Sequence, residues 1–585
     1  MPDTTSEYLN HLRHSAAHLL AAAILDFYPQ AKRTIGPAIE NGFYFDFDFG
    51  DQKVSDEDFA KIELKMHELA KSWKGFERSD VSADEAKTAF HDNEYKVELI
   101  EEFCREGQDL TFYKSGNYSD LCRGGHVEHP DQELKHFKLL SIAGAYWRGN
   151  EKNRMLTRIY GTIWPSKEEL DTYLTQLEEA RKRDHRKLGK ELDLFVFSDL
   201  VGPGLPLYTA KGAFIRRQLQ QFVNDLQSTI GYEEAWTPQL TKAELFKVSG
   251  HYEKYKSDMF SVKSNYSEEE FFLKPMNCPM HTQIYASRAR SYRDLPIRIS
   301  DFGNLYRDEK PGELSGLTRL RAFSQDDGHC FCREDQIEEE FKNVAEIISK
   351  AIAPFGLKYW IRLSLWDPNN TEKYLGSPEV WERAQSKLEK IVIELGVEHK
   401  RAEGEAAIYG PKMDFMAVDA LGREWQISTI QLDFIQPERF GLRYADQDGT
   451  MKQPVMIHRA ILGSPERFMG LLIEHFAGAF PLWLSPIQVV LIPISQDQND
   501  YAEKMMKQFK TAGIRVENMN ESESMQNRIR KAEKLKTPYI AVFGKKEVAS
   551  QTISIRRRGG KNDGEWAVDQ FIEKVKKEAS SKARW

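Results

Sequence analysis

The fold of this chain is decided by three widely separated stretches, namely KPMNCPMH at 274–281, YRDEKPGELSGLTRLRAFSQDDGHC at 306–330 and VMIHRAILGSPERF at 455–468. Each stretch contains one residue that can bind a soft metal ion, and these residues are Cys278, His329 and His458. Two stretches also contain an arginine, Arg307 or Arg467, whose planar guanidinium matches the oxygens of phosphate groups. Together the stretches predict one pocket that binds a triphosphate and a small molecule anchored by a metal.

The composition is that of a soluble multidomain protein. At 585 residues the chain is too long for one core, and about three or four domains are expected. The hydrophobic fraction of 41% and the charged fraction of 29% are ordinary for globular proteins. No run of about 18 apolar residues and no secretory signal pattern is present. Five cysteines, an odd number, argue against a disulfide framework and predict a cytoplasmic protein.

The overall charge gives only weak information about partners. A net charge of −8 and an isoelectric point near 6.1 argue mildly against nucleic acid. Local basic patches, however, supply the contacts to phosphate groups. One such patch is KKEVASQTISIRRRGGK at 545–561.

Pro165 marks the first boundary in the chain. Residues 1–164 before it mix helical and strand patterns. After it, Ser166 and Glu169 fit a capping box, which predicts an amphipathic connecting helix to about residue 190. The basic end of this helix, RKRDHRKLGK, either touches RNA or forms a solvated face.

Two further segments follow the connecting helix. In 191–485, apolar residues at helical spacing predict a helix near 213–230, and EEAWTPQL predicts a strand that ends near Pro238. From 486 onward, predicted strands (PIQVVLIPIS, IRVEN, YIAVFG and TISIRR) alternate with predicted helices (497–511, 522–535 and the chain from about 566). This alternation indicates a small α/β domain with a largely parallel sheet.

The three opening stretches resemble the signature motifs of class II aminoacyl-tRNA synthetases, and specifically those of threonyl-tRNA synthetases. The motifs occur in the family's order, and the helix near 213–230 with its strand resembles the motif that builds the family's homodimer interface. The resemblance implies a multidomain α+β and α/β fold. Its expected segments are an α+β editing domain at 1–164, a linker helix at 165–190, a catalytic domain with an antiparallel sheet at 191–485 and an α/β anticodon-binding domain at 486–585.

The identity of the metal ligands follows from the resemblance rather than from spacing. By residue type alone, His281, Cys330 and Cys332 are equally plausible, and an isolated His or Cys is more often structural. The resemblance matches the family's zinc ligands, one Zn2+ per subunit, to Cys278, His329 and His458. Two imidazoles and one thiolate leave zinc an open position, which can bind the amino group and hydroxyl of threonine and so exclude valine.

The resemblance also implies the nucleotide contacts. Arg307 is expected at the α-phosphate of ATP, with Glu309 near the adenine end of the same loop and Arg319 adding a phosphate contact. Arg467 is expected at the γ-phosphate. Fixed guanidinium groups stabilise the charge that develops on the α-phosphorus, and Mg2+ accompanies ATP. Taken singly, each arginine is more often part of a surface ion pair.

Further candidates complete the expected pocket. Asp327 is expected to bind the threonine ammonium group, and Lys412 the threonine carboxylate or the α-phosphate. Gln325 and Gln431 are expected to contact the adenylate or the acceptor end of tRNA. The remaining candidates are Tyr409, Ser464 and Met276, of which Met276 is almost equally consistent with plain packing.

A second candidate site lies near the N-terminus. HSAAH places His14 and His18 on the same side of a helix, and CRGGH adds Cys122 and His126. These residue types alone fit a four-ligand zinc site. The resemblance instead implies an editing site that hydrolyses seryl-tRNA without a bound metal, with Tyr44, Lys96 and Asp120 helping to position the ester and a water. Serine lacks only one methyl group of threonine, worth about 1–3 kcal/mol of discrimination, so a second selection step is needed.

The C-terminal segment contains the expected anticodon contacts. Arg530, Glu547 and Arg556 match positions at which the family recognises anticodon bases. Arg can pair with guanine and Glu can accept from cytosine, although each is otherwise a solvated charge. Two features depart from the family. Ser522 stands where asparagine is frequent, and the editing segment begins almost at Met1, without the ubiquitin-like domain of many bacterial members.

The resemblance therefore implies a cytoplasmic, homodimeric threonine–tRNA ligase that binds ATP, L-threonine and tRNA(Thr) and no membrane. It is expected to form threonyl-adenylate, transfer the threonyl group to the 3′ end of the tRNA and hydrolyse seryl-tRNA. Three alternatives stand beside it. An RNA-binding regulator conflicts with the intact arginines and metal ligands, a stand-alone deacylase leaves the ATP pocket unexplained, and seryl or prolyl specificity is disfavoured by the Cys/His/His trio.

Overall fold

The computed structural model describes residues 4–582, which divide into two compact units, one ending at Glu178 and the other beginning at Glu179. The predicted capping box is present, because Ser166 and Glu169 exchange hydrogen bonds at the start of a helix. This helix ends at Arg183 rather than near 190, since the Asp184 side chain accepts a hydrogen bond from Arg186 N and caps a second helix. None of the helices within 4–582 combines the length and hydrophobicity that a bilayer crossing requires.

The first unit combines a buried N-terminal helix with two antiparallel sheets. Apolar residues cover most of the helix surface, and Ala16, Leu20 and Ile24 are fully buried. A five-stranded sheet has the order β1-β3-β8-β7, with β2 also paired to β3, and a smaller sheet has the order β4-β5-β6. The elements are α1 (Thr4–Phe27), β1 (Lys32–Arg33), β2 (Ala38–Ile39), β3 (Gly42–Asp48), α2 (Phe59–Ser72), β4 (Glu77–Asp80), α3 (Ala83–Ala89), α4 (Glu94–Arg105), β5 (Thr111–Ser115), β6 (Tyr118–Leu121), α5 (Pro130–Glu133), β7 (Phe137–Tyr146), β8 (Met155–Ile163) and α6 (Lys167–Arg183), which continues into the second unit.

The second unit is built on an eight-stranded sheet of order β11-β15-β18-β25-β22-β21-β19-β20. Its inner pairings are antiparallel, and only the two edge strands pair in parallel. The elements are α7 (His185–Glu191), β9 (Phe195–Val196), β10 (Leu207–Tyr208), α8 (Ala210–Ser228), β11 (Glu233–Glu234), β12 (Leu240–Lys242), α9 (Ala243–Ser249), α10 (His251–Tyr255), β13 (Ser261–Val262), β14 (Phe271–Leu273), α11 (Cys278–Ala286), β15 (Ile297–Asp301), β16 (Asn304–Tyr306), β17 (Ala322–Ser324), β18 (Asp327–Cys332), α12 (Ile337–Ile352), β19 (Lys358–Leu365), α13 (Pro378–Leu395), β20 (His399–Glu403), β21 (Lys412–Val418), β22 (Glu424–Asp433), α14 (Ile435–Arg439), β23 (Tyr444–Ala445), β24 (Met451–Lys452), β25 (Val455–Ala460) and α15 (Pro465–His475).

The register of this sheet brings distant residues into one row. His329 on β18 lies opposite His458 on β25, which lies opposite Gln431 on β22, which in turn lies opposite Lys412 on β21. Residues directly opposite each other on neighbouring strands project from the same face. On the other face of β18, Cys330 and Cys332 are buried in the hydrophobic core, with Ile347 and Phe341 of α12 and Leu471 of α15. The sheet therefore has one apolar face and one face that carries the candidate site.

The predicted helix near 213–230 is present as α8, and its apolar residues Ile215, Leu219 and Phe222 are buried. The strand predicted for EEAWTPQL is largely wrong. Before Pro238 only Glu233 and Glu234 form a strand, which pairs in parallel with β15, and Leu240 begins the separate strand β12. Alternation of polar and apolar residues alone did not define its length, because most of this segment has no strand neighbour.

The C-terminal part of the second unit contains a separate sheet of order β27-β26-β28-β29-β30. The first two pairings are parallel and the last two are antiparallel, so the expectation of a largely parallel sheet is wrong. The reason is that β29, predicted from TISIRR, runs antiparallel to β28 and forms a hairpin with β30, a strand that the sequence patterns did not predict. The elements are β26 (Val489–Pro493), α16 (Asn499–Thr511), β27 (Val516–Asn518), α17 (Met525–Lys534), β28 (Tyr539–Phe543), α18 (Lys545–Ser550), β29 (Thr552–Arg557), β30 (Asn562–Ala567) and α19 (Val568–Ser580).

Candidate active site and second Cys/His cluster

The polar row of the large sheet faces a cleft with two connected parts, of about 660 and about 530 Å³. Every residue predicted for catalysis, substrate binding or metal binding lines one or both parts. The metal part is lined by Met276, Cys278, Asp327, His329, Tyr409, Lys412 and His458, the second part by Ser464 and Arg467, and both parts by Arg307, Glu309, Arg319, Gln325 and Gln431. The fold thus brings together residues that the sequence separates widely.

The three predicted metal ligands converge at the start of α11 and on two paired strands. The ligand atoms of Cys278, His329 and His458 all lie within 4.8 Å of one another. His329 Nε2 and His458 Nδ1 are 3.1 Å apart. A tetrahedral zinc ion with Zn–N bonds of about 2.0–2.1 Å separates its nitrogen ligands by about 3.4 Å. The trio therefore fits a zinc ion without large movement.

Groups behind the imidazoles fix their orientation. His458 Nε2 donates to Asp433 Oδ2 at 2.8 Å. The other ring nitrogen, Nδ1, therefore carries no proton, and its lone pair faces the cleft. His329 Nδ1 lies 2.7 Å from His281 Nδ1, so its Nε2 also faces the cleft. A carboxylate bonded to a ligating histidine orients the ring and raises its basicity. Of the alternative ligands, His281 thus supports the site from behind, whereas Cys330 and Cys332 face away from it.

Burial favours the uncharged forms of Cys278 and His329 when no cation is present. It raises the pKa of the Cys278 thiol well above its ordinary value, and the nearby carboxylates of Asp327 and Asp433 add to this. It lowers the pKa of the His329 imidazole well below its ordinary value. A metal ion supplies the charge that allows such a thiol to bind as a thiolate.

Arg307 and Arg467 line the cleft and have no carboxylate partner among residues 4–582, whereas Arg459, also without one, bonds to the Asp326 carbonyl and to Gln227 Oε1. The Arg307 guanidinium lies 5.1 Å from the Phe323 ring, and no ion pair within 4.0 Å holds it or Arg467. The surrounding protein lowers the pKa of both guanidiniums below the ordinary value, although Arg467 is exposed to the cleft. Arg319 differs, because it pairs with Glu309 and Glu313 at 2.8 Å each. Two unpaired cations are thus available for an anion in the cleft.

The central part of the cleft is organised by polar contacts across the sheet. Tyr409 OH donates to Gln431 Oε1 at 2.8 Å, and its ring stacks on His458 at 4.6 Å between centroids. Lys412 Nζ lies 2.7 Å from Asp414, a fully buried carboxylate. This pair keeps Lys412 extended toward the cleft.

The loop before α15 is held by a buried carboxylate that the sequence did not single out. Asp326 accepts hydrogen bonds from the backbone N–H groups of Ile461, Leu462 and Gly463 at 2.6–3.1 Å. Ser464 then caps α15, since its hydroxyl accepts from Arg467 N at 3.3 Å. These contacts fix the position from which Arg467 enters the cleft.

The N-terminal Cys/His cluster also forms. The ligand atoms of His14, His18, Cys122 and His126 lie within 4.8 Å of one another. Cys122 Sγ is 3.3 Å from His126 Nε2 and 3.6 Å from His14 Nε2. His14 Nδ1 bonds to the Gly125 carbonyl, and His126 Nδ1 to the Ser15 hydroxyl. No carboxylate of the described chain is hydrogen-bonded to an imidazole here.

This cluster is neutral and borders a largely apolar cavity of about 390 Å³. Burial lowers the pKa of His18 to about 3 and raises that of Cys122 to about 11. His18 Nδ1 is buried without a hydrogen-bond partner. Because the imidazoles are neutral and one ring nitrogen has no partner, the cluster is better suited to bind a water molecule or an ester than a charged group.

The carboxylate of this cavity is paired with cations instead. Asp120 lies 2.8 Å from Lys96 Nζ and 3.3 Å from Arg33 Nε, and it accepts from Tyr118 OH at 2.8 Å. Although burial opposes ionisation, these cations hold the pKa of Asp120 below its ordinary value. Lys96 and Asp120 both line the cavity.

Tyr44 is not among the described residues that line this cavity, whereas its neighbour Phe45 is. Successive strand residues point to opposite faces, and the Tyr44 ring instead lies 3.8 Å from the Arg158 guanidinium. The expected contact of Tyr44 with the ester is therefore not supported by its position.

The anticodon candidates lie on three elements of the C-terminal sheet region. Arg530 is exposed on α17, and Arg556 is half-buried on β29. Glu547 Oε2 accepts from Gly544 N at 2.8 Å and so caps α18. Its carboxylate has a structural partner already, unlike the two arginines, for which the described residues provide no ion pair within 4.0 Å.

Several functional candidates were missed from sequence. Asp433 follows Gln431 by two positions on β22, so the strand period alone places both on the cleft face. Arg33 and Asp326 carried no such signal, because their partners are distant in sequence.

Three family models match the chain. They are "tRNA synthetase class II core domain (G, H, P, S and T)" at residues 257–476, "Anticodon binding domain" at 488–578 and "Threonyl and Alanyl tRNA synthetase second additional domain" at 110–160.

Whole-chain relatives agree with these matches. A threonine–tRNA ligase of Rubrobacter xylanophilus is 48% identical over 579 residues, which cover 98% of this chain and 90% of the relative. The threonine–tRNA ligase of Thermotoga maritima is 46% identical over 572 residues, with coverages of 97% and 88%. A crystal structure described as the RNA binding domain of threonyl-tRNA synthetase from Cryptosporidium parvum Iowa II superposes with a TM-score of 0.64 at 36% identity, over 68% of this chain and 98% of that one.

Proposed function

The chain belongs to the threonine–tRNA ligase family, and on that basis we propose that it activates L-threonine with ATP, transfers the threonyl group to tRNA(Thr) and hydrolyses seryl-tRNA(Thr). The single observation that carries the activation step is the convergence of Cys278, His329 and His458 in the cleft that also contains Arg307 and Arg467. A metal trio and two unpaired guanidiniums in one cleft suit an amino acid placed beside a triphosphate.

Arg307 and Arg467 bind the triphosphate in this proposal. Arg307 holds the α-phosphate, and Arg467 holds the γ-phosphate at the capped start of α15. ATP enters with Mg2+, which neutralises part of the phosphate charge. Because both guanidiniums are fixed before the reaction, they stabilise the charge that develops on the α-phosphorus when the threonine carboxylate attacks it. Pyrophosphate leaves on the side of Arg467.

Cys278, His329 and His458 would hold one Zn2+ per subunit. When bound there, zinc supplies a ligand position for the amino group and hydroxyl of threonine, which valine cannot fill. Asp327 accepts from the threonine ammonium group, and Lys412 neutralises the carboxylate. Tyr409 and Gln431, bonded to each other, form the adjoining wall, with Met276 opposite them. Gln325 contacts the adenylate or the tRNA acceptor end, and Ser464 places Arg467.

The neutral His14, His18, Cys122 and His126 cluster hydrolyses seryl-tRNA without a metal in this proposal. Imidazoles that are kept uncharged can accept a proton from water, whereas protonated ones cannot. Lys96, held by Asp120, directs its ammonium group to the side of the cavity that receives the ester. Serine enters the cavity, and the extra methyl group of threonine is excluded, which gives the second selection step that zinc cannot provide.

Transfer RNA and a second subunit complete the proposal. The segment 486–585 binds the anticodon, with Arg530 and Arg556 as base contacts and Glu547 as a weaker candidate because it caps α18. The segments 1–164, 165–190 and 191–485 act as editing domain, linker and catalytic domain, and the catalytic domain forms a cytoplasmic homodimer through α8 and the chain after it.

Amino-acid-dependent exchange of pyrophosphate into ATP tests the activation step. It is measured with threonine, serine and valine, before and after zinc is removed. We expect exchange with threonine, weaker exchange with serine, none with valine, and loss of exchange without zinc. Absence of exchange with all three, from folded and zinc-loaded protein, would replace this proposal with a regulator or a stand-alone deacylase.

A further inference from the structure

His185 is a buried histidine outside the cleft whose two ring nitrogens both have partners. Its Nδ1 lies 2.6 Å from Glu474 Oε1 on α15. The backbone N–H of Leu317 donates to its Nε2 at 2.9 Å. Since a backbone N–H can only donate, Nε2 carries no proton, and Nδ1 must be the nitrogen that donates to Glu474. The ring is therefore a neutral bridge with a defined tautomer.

Two glycines leave the space that the His185 ring occupies, and we call this space the seat of the ring. Gly316 has a φ of +48°, and a Cβ atom there would lie 2.1 Å from His185 Nε2. Gly470 of α15 lies against the other side, where a Cβ atom would be 3.6 Å from His185 Cδ2. The loop before Leu317 and the helix α15 thus enclose the ring, and a side chain at 316 would displace it.

Metal binding does not explain this arrangement. Asp184, His185 and Glu474 do have potential ligand atoms within 4.8 Å of one another. However, Nε2 is occupied by the backbone of Leu317, and the Asp184 carboxylate bonds to the backbone and guanidinium of Arg186. Glu474 in addition bonds to the guanidinium of Arg423. The one lone pair of the neutral imidazole, on Nε2, already accepts the hydrogen bond from Leu317 N and is not available to a cation.

The bridge connects the two elements that carry the unpaired cleft arginines. Leu317 belongs to the hairpin loop 307–321, which is closed by Arg307 N donating to Arg321 O at 2.9 Å. Leu317 is 1% exposed and lines the same part of the cleft as Arg467. Glu474 lies two helical turns after Arg467 on α15. His185 therefore spans the gap between the loop of Arg307 and the helix of Arg467.

We infer that His185 is a positioning residue for the nucleotide: it sets the hairpin loop 307–321 against α15, so that Arg307 and Arg467 are spaced for one triphosphate. The inference rests on the proposed ATP binding in this cleft. It predicts a defect confined to ATP, because the metal trio and the threonine contacts Asp327 and Lys412 lie on α11, β18, β21 and β25, whereas the hydrogen bonds of the His185 ring go to Glu474 and Leu317.

The decisive variant is His185→Asn. Its amide nitrogen occupies the position of Nδ1 and still donates to Glu474, but the shorter side chain cannot reach Leu317 N. We expect the KM for ATP in pyrophosphate exchange to rise about tenfold, the effect of leaving one buried backbone donor without an acceptor. The KM for threonine should stay within about twofold, and the zinc content should not change. His185→Gln, whose oxygen reaches the position of Nε2, should restore most of the ATP affinity.

His475→Asn is the matched control. His475 is the next residue after Glu474, is buried, and bonds to the backbone of Ala420 and Phe355, neither of which lines the cleft. It should lose stability without changing the KM for ATP. A normal KM for ATP in folded His185→Asn, or an equal rise in His475→Asn, overturns the inference.

Two further measurements keep the test independent of folding and of the ligase activity. Gly316→Ala disturbs the same seat from the exposed loop and should also raise the KM for ATP selectively; an unchanged value overturns the inference. The increase in Tm caused by Mg-ATP should be smaller in His185→Asn than in wild type and His475→Asn. If wild type shows this ATP shift but no threonine-dependent exchange, the proposed ligase activity fails while the positioning role still stands.

Discussion

The two Cys/His clusters of this chain are alike in residue type and different in what stands behind their imidazoles. In both, the potential ligand atoms lie within 4.8 Å of one another. In the cleft, His458 donates to the carboxylate of Asp433. In the N-terminal unit, His14 and His126 bond to a carbonyl and a hydroxyl, and the local carboxylate of Asp120 is paired with Lys96 and Arg33.

This difference decides which chemistry each cluster favours. A carboxylate behind an imidazole increases its electron donation and offsets part of the charge of a metal ion. A neutral acceptor gives no such support, and burial then keeps the imidazoles uncharged, as the pKa of His18 at about 3 indicates. Residue types and spacing are thus insufficient to distinguish a metal site from a hydrolytic one. The groups that hydrogen-bond to the imidazoles from behind provide the distinction.

The largest expected effect is that of removing the thiolate from the cleft cluster. Cys278→Ala should lose its zinc, and threonine-dependent exchange should fall by about a thousandfold, because direct metal contacts with a substrate supply several kcal/mol. Zinc per subunit and the exchange rate are measured on the same preparation. Cys330→Ala, a buried cysteine on the opposite face of the sheet, is the control and should keep its zinc. Equal zinc loss in both variants would show that the cluster was not the site.

The next effect sharpens the comparison from the other cluster. His14→Ala should lower the hydrolysis of seryl-tRNA(Thr) by about a hundredfold, the size typical of lost acid–base or water-positioning groups. Charging with threonine and the zinc content, one ion per subunit, should be unchanged. His91→Ala, which removes an exposed histidine of the same unit, serves as the control. If wild type contained two zinc ions per subunit and His14→Ala contained one, the N-terminal cluster would also bind metal. The two clusters would then not differ in metal binding.

A smaller effect should follow from changing only the support of the cleft imidazole. Asp433→Asn keeps the shape and the bonds that Oδ1 accepts from Ile435 N and Gln436 N, but it places an NH2 group behind His458 Nε2 and removes the negative charge there. We expect zinc affinity to fall by about 10–100-fold, with near-normal exchange when zinc is in excess. Competition with a chelator measures the affinity, and Asp446→Asn, which changes a half-buried carboxylate paired with Lys452 outside the cleft, is the control. Unchanged affinity would mean that the carboxylate does not explain why this cluster binds metal.

Part of this architecture was predictable from local sequence. The buried stripe of α8 and the capping box at Ser166 follow from spacing alone, because their partners are a few residues away. The family resemblance supplied the residues of the cleft, which no local pattern could join. The direct pairing of His329 with His458 depends on the register of β18 and β25, which becomes visible only when the sheet is assembled.

The contacts behind the sites were the least predictable. His185 and Asp326 act on backbone groups of Leu317 and of residues 461–463, and a backbone N–H has the same chemistry in any sequence. Tyr44 came from the family resemblance, and the strand period places its neighbour Phe45 at the cavity instead. A resemblance names a residue without giving the direction in which its side chain points.

The smallest expected effect concerns the pH dependence of the N-terminal cluster. The folded-state pKa of His18 is about 3, below its ordinary value near 6.5, so the unfolded state binds a proton first as the pH falls. Stability from the neutral ring is complete above about pH 6.5 and declines below it, by at most about 1.4 kcal/mol per pH unit. Hydrogen exchange of α1, corrected for intrinsic rates, should therefore accelerate between pH 7 and 5. His18→Gln should flatten this dependence and His91→Gln should not. An identical slope in wild type and His18→Gln would mean that burial does not keep the His18 imidazole neutral.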